Sequence, residues 1–176
     1  MRLDVYWLAA LALCLVVLSP HADADDRVKC PEKCSPQKAG VRSLAELAKE
    51  ACSKSMKFAY QVQVENVEST SSTDAYNVTV LESFKEGGVE DPIDETRVFL
   101  SRPTCKTNLN LKTGGIYLIM GKNAQQVAGK YHYLFDDHTW VQYWPTDAEG
   151  TTNTYKNQYD NLEQFRQDME FGCKSR

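Results

Sequence analysis

The sequence predicts a mainly β domain: a small antiparallel sheet closed into a barrel, with a short helix at each end and disulfides as staples. Three observations predict it. From Phe58 onward, short runs with apolar residues at every second position are separated by turn residues, the pattern of half-buried strands. Helical spacing is confined to the two ends of the region that follows the N-terminal arm. Five cysteines, Cys30, Cys34, Cys52, Cys105 and Cys173, are spread along the chain beyond an apolar N-terminal run that holds the sixth, Cys14.

That N-terminal run reads as a secretory signal. Arg2 gives a positive start, Trp7 to Leu18 an apolar core, and Ala22-Asp23-Ala24 small residues at the A-x-A positions. The core is shorter than the roughly twenty apolar residues a bilayer span needs. Residues 1–24 are therefore expected to be removed, residues 25–41 to form an arm carrying Cys30 and Cys34, and residues 42–176 to form the domain. About 150 residues remain, enough for one compact domain. Export places them in an oxidising compartment, where disulfides persist. The expected localisation is secreted and extracellular, with no membrane span. The net charge is −4, with Lys and Arg interleaved among acids and no dense basic block, so nucleic acid is not an expected partner.

In chain order, Ser43 and Glu46 form an S-x-x-E start signal, and Leu44, Leu47, Ala48 and Ala51 share one helical face that ends at Cys52. Phe58, Tyr60, Val62 and Val64 alternate with Ala59, Gln61, Gln63 and Glu65 as a first strand. Glu68 to Asp74 is a loop or hairpin tip, and Tyr76, Val78 and Val80 begin a second strand. Gly87-Gly88 and Asp91-Pro92 mark a turn before a short third strand, Arg97 to Leu100. Ile116 to Met120 is almost wholly apolar, as in a strand buried on both faces. Tyr131 to Phe135 and Thr139 to Trp144 read as a hairpin, with Trp140 and Trp144 facing inward. Asp147 to Asn161 is polar and reads as irregular. A last helix follows, with Asp160 as N-cap, Leu162, Phe165 and Met169 on one face, and Gly172 at its C-terminal end. Five or six closely spaced strands favour closure, which removes exposed edges.

A barrel of this size buries a limited core, and staples supplement it. A bond between Cys52 and Cys173 would pin both helices, and Cys105 could take a cysteine of the arm. Connectivity stays open on these grounds, because five cysteines allow fifteen two-bond pairings.

The residues carry a resemblance. Ala51-Cys52 ahead of the first strand, Pro103-Thr104-Cys105, Tyr117-Leu118-Ile119-Met120-Gly121, the Asp-x-Thr-Trp-Val-x-x-Trp-Pro run of Asp137 to Pro145, and Phe171-Gly172-Cys173 occur in a characteristic order and spacing. From about Cys30 to Cys173 the chain resembles the netrin-like module, most closely the C-terminal module of complement components three, four and five. More distant likenesses are the tissue inhibitors of metalloproteinases and the procollagen C-proteinase enhancers. The resemblance implies a barrel of the oligonucleotide/oligosaccharide-binding type, a Cys52–Cys173 bond and, in the complement pattern, Cys34–Cys105. The metalloproteinase-inhibitor pattern implies Cys30–Cys105 instead. The complement pattern is preferred here, which leaves Cys30 free or bonded to another chain, for instance in a homodimer. Asp147 to Asn161 lacks the cysteine pair that the complement modules carry there.

No catalytic motif emerges. His132 and His138 with Asp136 and Asp137 lack metal-ligand spacing, and no nucleophile elbow is present. The chain is read as a non-enzyme that needs no cofactor or metal. Its expected function is that of a stand-alone secreted module binding extracellular protein or matrix. One alternative is an inhibitor of extracellular metalloproteases, which in the family requires a cysteine at the mature N-terminus. Another is a structural component of a secreted matrix or venom-like secretion. Asn77-Val78-Thr79 is an N-glycosylation acceptor, with Asn77 on the solvent side of its strand. Among the aromatics from Tyr131 to Trp144, Tyr143 is the candidate exposed binding residue.

Overall fold

The computed structural model describes residues 28–37, 43–85, 88–170 and 172–173. The expected signal segment, residues 1–24, lies outside the described residues, as does the arm before Val28. Seven strands form one sheet in the order β5-β6-β3-β2-β1-β4-β7. Along the chain these are β1 (Phe58–Ser69), β2 (Asp74–Ser83), β3 (Thr96–Ser101), β4 (Ile116–Gly121), β5 (Ala124–Val127), β6 (Lys130–Leu134) and β7 (Trp140–Trp144). The helices are α1 (Leu44–Ala51), α2 (Lys106–Leu109), α3 (Asp147–Gly150) and α4 (Lys156–Met169). None of the described helices is long and apolar enough to cross a membrane.

Inward residues of adjacent strands lie opposite one another. Val62 pairs with Val80 on β2 and with Tyr117 on β4, Ile119 with Val141, and Tyr76 with Phe99. Rings also meet across the interior. Tyr133 of β6 stacks on Phe99 at 4.7 Å and meets Phe58 of β1 edge-on at 4.8 Å, although β2 and β3 lie between β1 and β6 in the sheet. The sheet therefore curls around one core of aromatic and β-branched side chains, which fit a pleated surface.

The curl does not close. The order ends at β5 and β7, with no pairing between them, so the expected closed barrel is corrected to an open, coiled sheet. Closure is not the only protection for an edge. On β7 the Tyr143 carbonyl oxygen accepts from Gln158 Nε2 of α4 at 2.5 Å. The expectation of a purely antiparallel sheet is also corrected, because β3 and β6 run parallel. The expected hairpin between β6 and β7 is absent: β6 pairs with β5 and β3, and β7 with β4. The turn between them is tied to itself and to β4's end rather than closing a two-strand ladder. Asp136 accepts from His138 N, Thr139 Oγ1 and Asn123 Nδ2.

A second apolar layer lies on the outer face, where α1 and α4 cover Ala59, Leu118, Met120 and Trp144. This corrects the inward placement of Trp140 and Trp144. Both belong to the helix-covered layer, whereas Val141 enters the inner core. Ile116–Gly121 is buried on both faces, since Tyr117 and Ile119 face the inner core and Leu118 and Met120 the helices. Ser43 caps α1 by accepting from Glu46 N, and Cys52 ends the helix. α4 begins earlier than expected, so Asp160 is not its cap but sits inside it, 3.2 Å from Lys156 one turn back. The segment expected to be irregular holds α3, fixed by a reciprocal capping box between Thr146 and Glu149. After α4, Gly172 takes φ +69° and its N–H reaches Met169 O, a left-handed ending that suits glycine.

Candidate functional site

Disulfides join Cys34 to Cys105 and Cys52 to Cys173. The first lies at the inner core, where both sulfurs are buried. The second ties the end of α1 to the segment after α4, so the helical layer is held to itself across 121 residues of sequence. Cys30 is free, but it is not on an exposed arm: only 8% of it is accessible. Burial pushes its thiol up, against smaller opposing effects from a Thr73 hydrogen bond and the Arg102 charge. Arg102 Nε donates to the Cys30 carbonyl oxygen at 3.3 Å, which fastens this part of the arm to the end of β3.

Among the described residues, two surface hollows stand out. The first lies between the end of β2, the β2–β3 connection and α4, and is about 400 Å³. Phe84 and Met169 are buried in its lining, Ile93 is 45% exposed, and Glu82, Arg166 and Glu170 supply charge. Ile93 is the one large hydrophobic residue that is exposed among the described residues. Arg166 is held by Glu163 and, at 3.6 Å, by Glu82. Burial raises the Glu82 carboxyl, with Arg166 working against that rise.

The connection that carries Ile93 is latched to the core. Arg97 makes a two-pronged contact with Glu90 at 2.7 and 2.8 Å, and Tyr60 Oη donates to the Glu90 carbonyl. Burial works to raise the Glu90 carboxyl, but hydrogen bonds from Arg97 and Tyr133 outweigh it and leave the group below its ordinary value. Tyr60 is pushed up to about 12, chiefly by burial. At the other end, Lys85 Nζ donates to the Ala51 and Ser53 carbonyls at the C-terminus of α1, a favourable place for a cation.

The second hollow is a polar cleft of about 510 Å³ between the arm, the turn before β4, β7 and the start of α4. Tyr117, Tyr143 and Tyr155 meet edge to face in succession, with centroids 5.6 and 5.8 Å apart. Tyr143, the binding candidate from the sequence, is half-buried here rather than exposed. Its hydroxyl donates to Glu149 at 2.7 Å. Burial and that carboxylate push the Tyr143 phenol up, while the Thr146 backbone N–H and Tyr143 hold Glu149 down. Gln37 Nε2 lies buried without a hydrogen-bond partner among the described residues. The turn relies on Gly114 at φ +79°, a conformation that disfavours a side chain. Sequence reading missed both hollows, because each is assembled from segments far apart in the chain.

Asn77 lies on the outer face of β2, where its Nδ2 donates to Asn66 and Glu68. His132 sits on β6 with Nδ1 buried and without a hydrogen-bond partner among the described residues, and the exposed His138 lies 3.5 Å from Asp137.

These features define a disulfide-stapled, helix-backed β domain with hollows on its surface. A family model described as the UNC-6/NTR/C345C module matches residues 49–157, more than half of the chain. Complement C3 of Oncorhynchus mykiss is 32% identical over 149 residues, covering 81% of this chain and 9% of that protein. Cobra venom factor of Naja kaouthia is 30% identical over 126 residues, 70% of this chain and 8% of the venom protein. The chain belongs to the netrin-like (UNC-6/NTR/C345C) family, and it spans less than a tenth of the length of these relatives.

Proposed function

We propose that the chain is a secreted, non-enzymatic module that binds another extracellular protein or a matrix component, with the hollow around Ile93 as its contact. The observation that carries this reading is the exposure of Ile93 beside buried Phe84 and Met169, with Arg166 on the rim. Apolar anchors next to a desolvated floor, bordered by arginine, are the makings of an interface hot spot. The latch from Glu90 to Arg97 and Tyr133 lowers the ordering cost on binding, since it fixes the backbone near Ile93 beforehand. Complement C3 and venom factor, the named relatives, carry this module as a small part of much longer proteins, so their whole activities are not assigned to it.

The metalloprotease-inhibitor alternative finds less support. It calls on the amine and carbonyl of an N-terminal cysteine, and here the Cys30 carbonyl is engaged by Arg102 while the residue is buried. The covalent homodimer through Cys30 likewise requires that part of the arm to lift away. The test immobilises the intact secreted protein, exposes it to the extracellular fluid of its source, and repeats this with Ile93→Asp and Arg166→Ala. A protein retained by wild type and reduced about tenfold or more by both variants supports the reading. Equal retention by all three, or none by wild type, overturns it.

A further inference from the structure

The polar cleft has two unlike walls. One, from the arm and the turn before β4, is lined by the donor-bearing residues Gln37, Asn110 and Lys112. The other, from β7 to α4, offers the Tyr143 and Tyr155 rings and the Glu149 carboxylate. Gln37 Nε2 is a buried donor with no acceptor among the described residues, a condition that a ligand oxygen would relieve. Three donors converge on Glu149 Oε2, from Thr146 N, Thr146 Oγ1 and Tyr143 Oη, whereas Oε1 receives none from the described residues. That oxygen remains available to accept from a ligand hydroxyl.

One cation and one anion line the cleft, and the remaining polar groups are neutral, so its chemistry matches an uncharged ligand rather than a sulfated or strongly acidic one. A volume of about 510 Å³ falls within the range of small-molecule sites. The ligand must then present a carbonyl acceptor, several hydroxyls and an apolar C–H face toward tyrosine.

We propose that this cleft binds a neutral N-acylated amino sugar. The acyl carbonyl accepts from Gln37, a ring hydroxyl donates to Glu149, and the C–H face of the pyranose packs on Tyr143 and Tyr155. This is a different surface from the Ile93 hollow, and it stands or falls apart from the protein-partner reading.

The test is an NMR titration of the intact, disulfide-bonded protein with the β-1,4-linked trisaccharide of N-acetylglucosamine. Maltotriose, which lacks the acyl group, and a heparin-derived oligosaccharide are the comparison probes. Saturable shifts confined to Gln37, Asn110–Tyr117 and Tyr143–Gln158 are expected, with maltotriose weaker and heparin inactive at the cleft. Gln37→Leu and Tyr155→Ala should each weaken binding about tenfold. Gln37 makes no side-chain hydrogen bond among the described residues, so its replacement leaves the fold intact, and spectral dispersion verifies this. Absence of cleft shifts, equal response to maltotriose, a response to heparin alone, or wild-type affinity in Gln37→Leu overturns the proposal.

Discussion

The Tyr133 hydroxyl donates to the Glu90 carboxylate at 2.5 Å, which joins the aromatic centre of the core to the connection that carries Ile93. Arg97 donates to both oxygens of the same carboxylate. Burial, together with its bonds to Glu90 and Tyr60, pushes the Tyr133 phenol up. The three residues form a latch whose members are all partly withdrawn from water.

Removing one member leaves the others under-satisfied. Tyr133→Phe should cost about 1 to 3 kcal/mol of stability, read as a shift in the urea midpoint. Arg97→Leu should cost at least as much, because it strands a carboxylate that is mostly withdrawn from water. A midpoint unchanged in both variants would mean that the latch adds nothing to the fold.

The same latch makes a pH prediction. The Glu90 carboxyl is lower in the folded protein than its ordinary value of 4.5, so the folded state favours the ionised form. Its stabilisation is fully present above that value and is lost as pH falls through the depressed folded value. Wild type should therefore lose stability in acid more steeply than Glu90→Gln, with the two curves converging below pH 4.5. Parallel curves would contradict the assignment.

Cys52 and Cys173 close a span of 121 residues, for which restriction of the unfolded chain is worth about 4 to 5 kcal/mol. Replacing both with alanine should lower the thermal midpoint sharply while leaving the inner-core near-ultraviolet signal. Cys34 and Cys105 are themselves part of the inner core, so their loss should also disturb that signal.

Asn77 lies on the part of β2 that pairs β1 beyond the helix-covered layer, and its carboxamide meets only side chains. Glycosidase treatment of secreted protein is predicted to increase gel mobility, and Asn77→Gln to abolish the difference. Unchanged mobility would show an unused acceptor.

Local patterns carried much of the fold into the sequence. The Ser43 cap, the alternation of Phe58 to Val64 and the doubly buried Ile116–Gly121 strand depend on neighbours in the chain, and each could be read directly. Pairing between distant segments could not. Nothing local distinguishes a β6–β7 hairpin from β6 laid parallel on β3, because both bury Tyr133 and Leu134 equally well. Trp140 and Trp144 share a face by alternation, but in a sheet covered on both sides the alternation does not say which core receives them. The hollows were hidden for the same reason: Gln37, Tyr117, Glu149 and Tyr155 become neighbours only after folding.

Cys30 returns as the most economical probe of the whole arrangement. A buried, protonated thiol should resist an alkylating reagent in the native protein and react once in denaturant. Native reactivity matching that of an exposed thiol would contradict its burial.

The measurement that bears most directly on the central claim, a stapled module that acts through noncovalent contacts, is a disulfide map of secreted protein alkylated in denaturant without reduction. The expected result is peptides linked through Cys34–Cys105 and Cys52–Cys173, alkylated Cys30 and a monomeric mass. A Cys30–Cys105 peptide, or a dimer joined through Cys30, would contradict it.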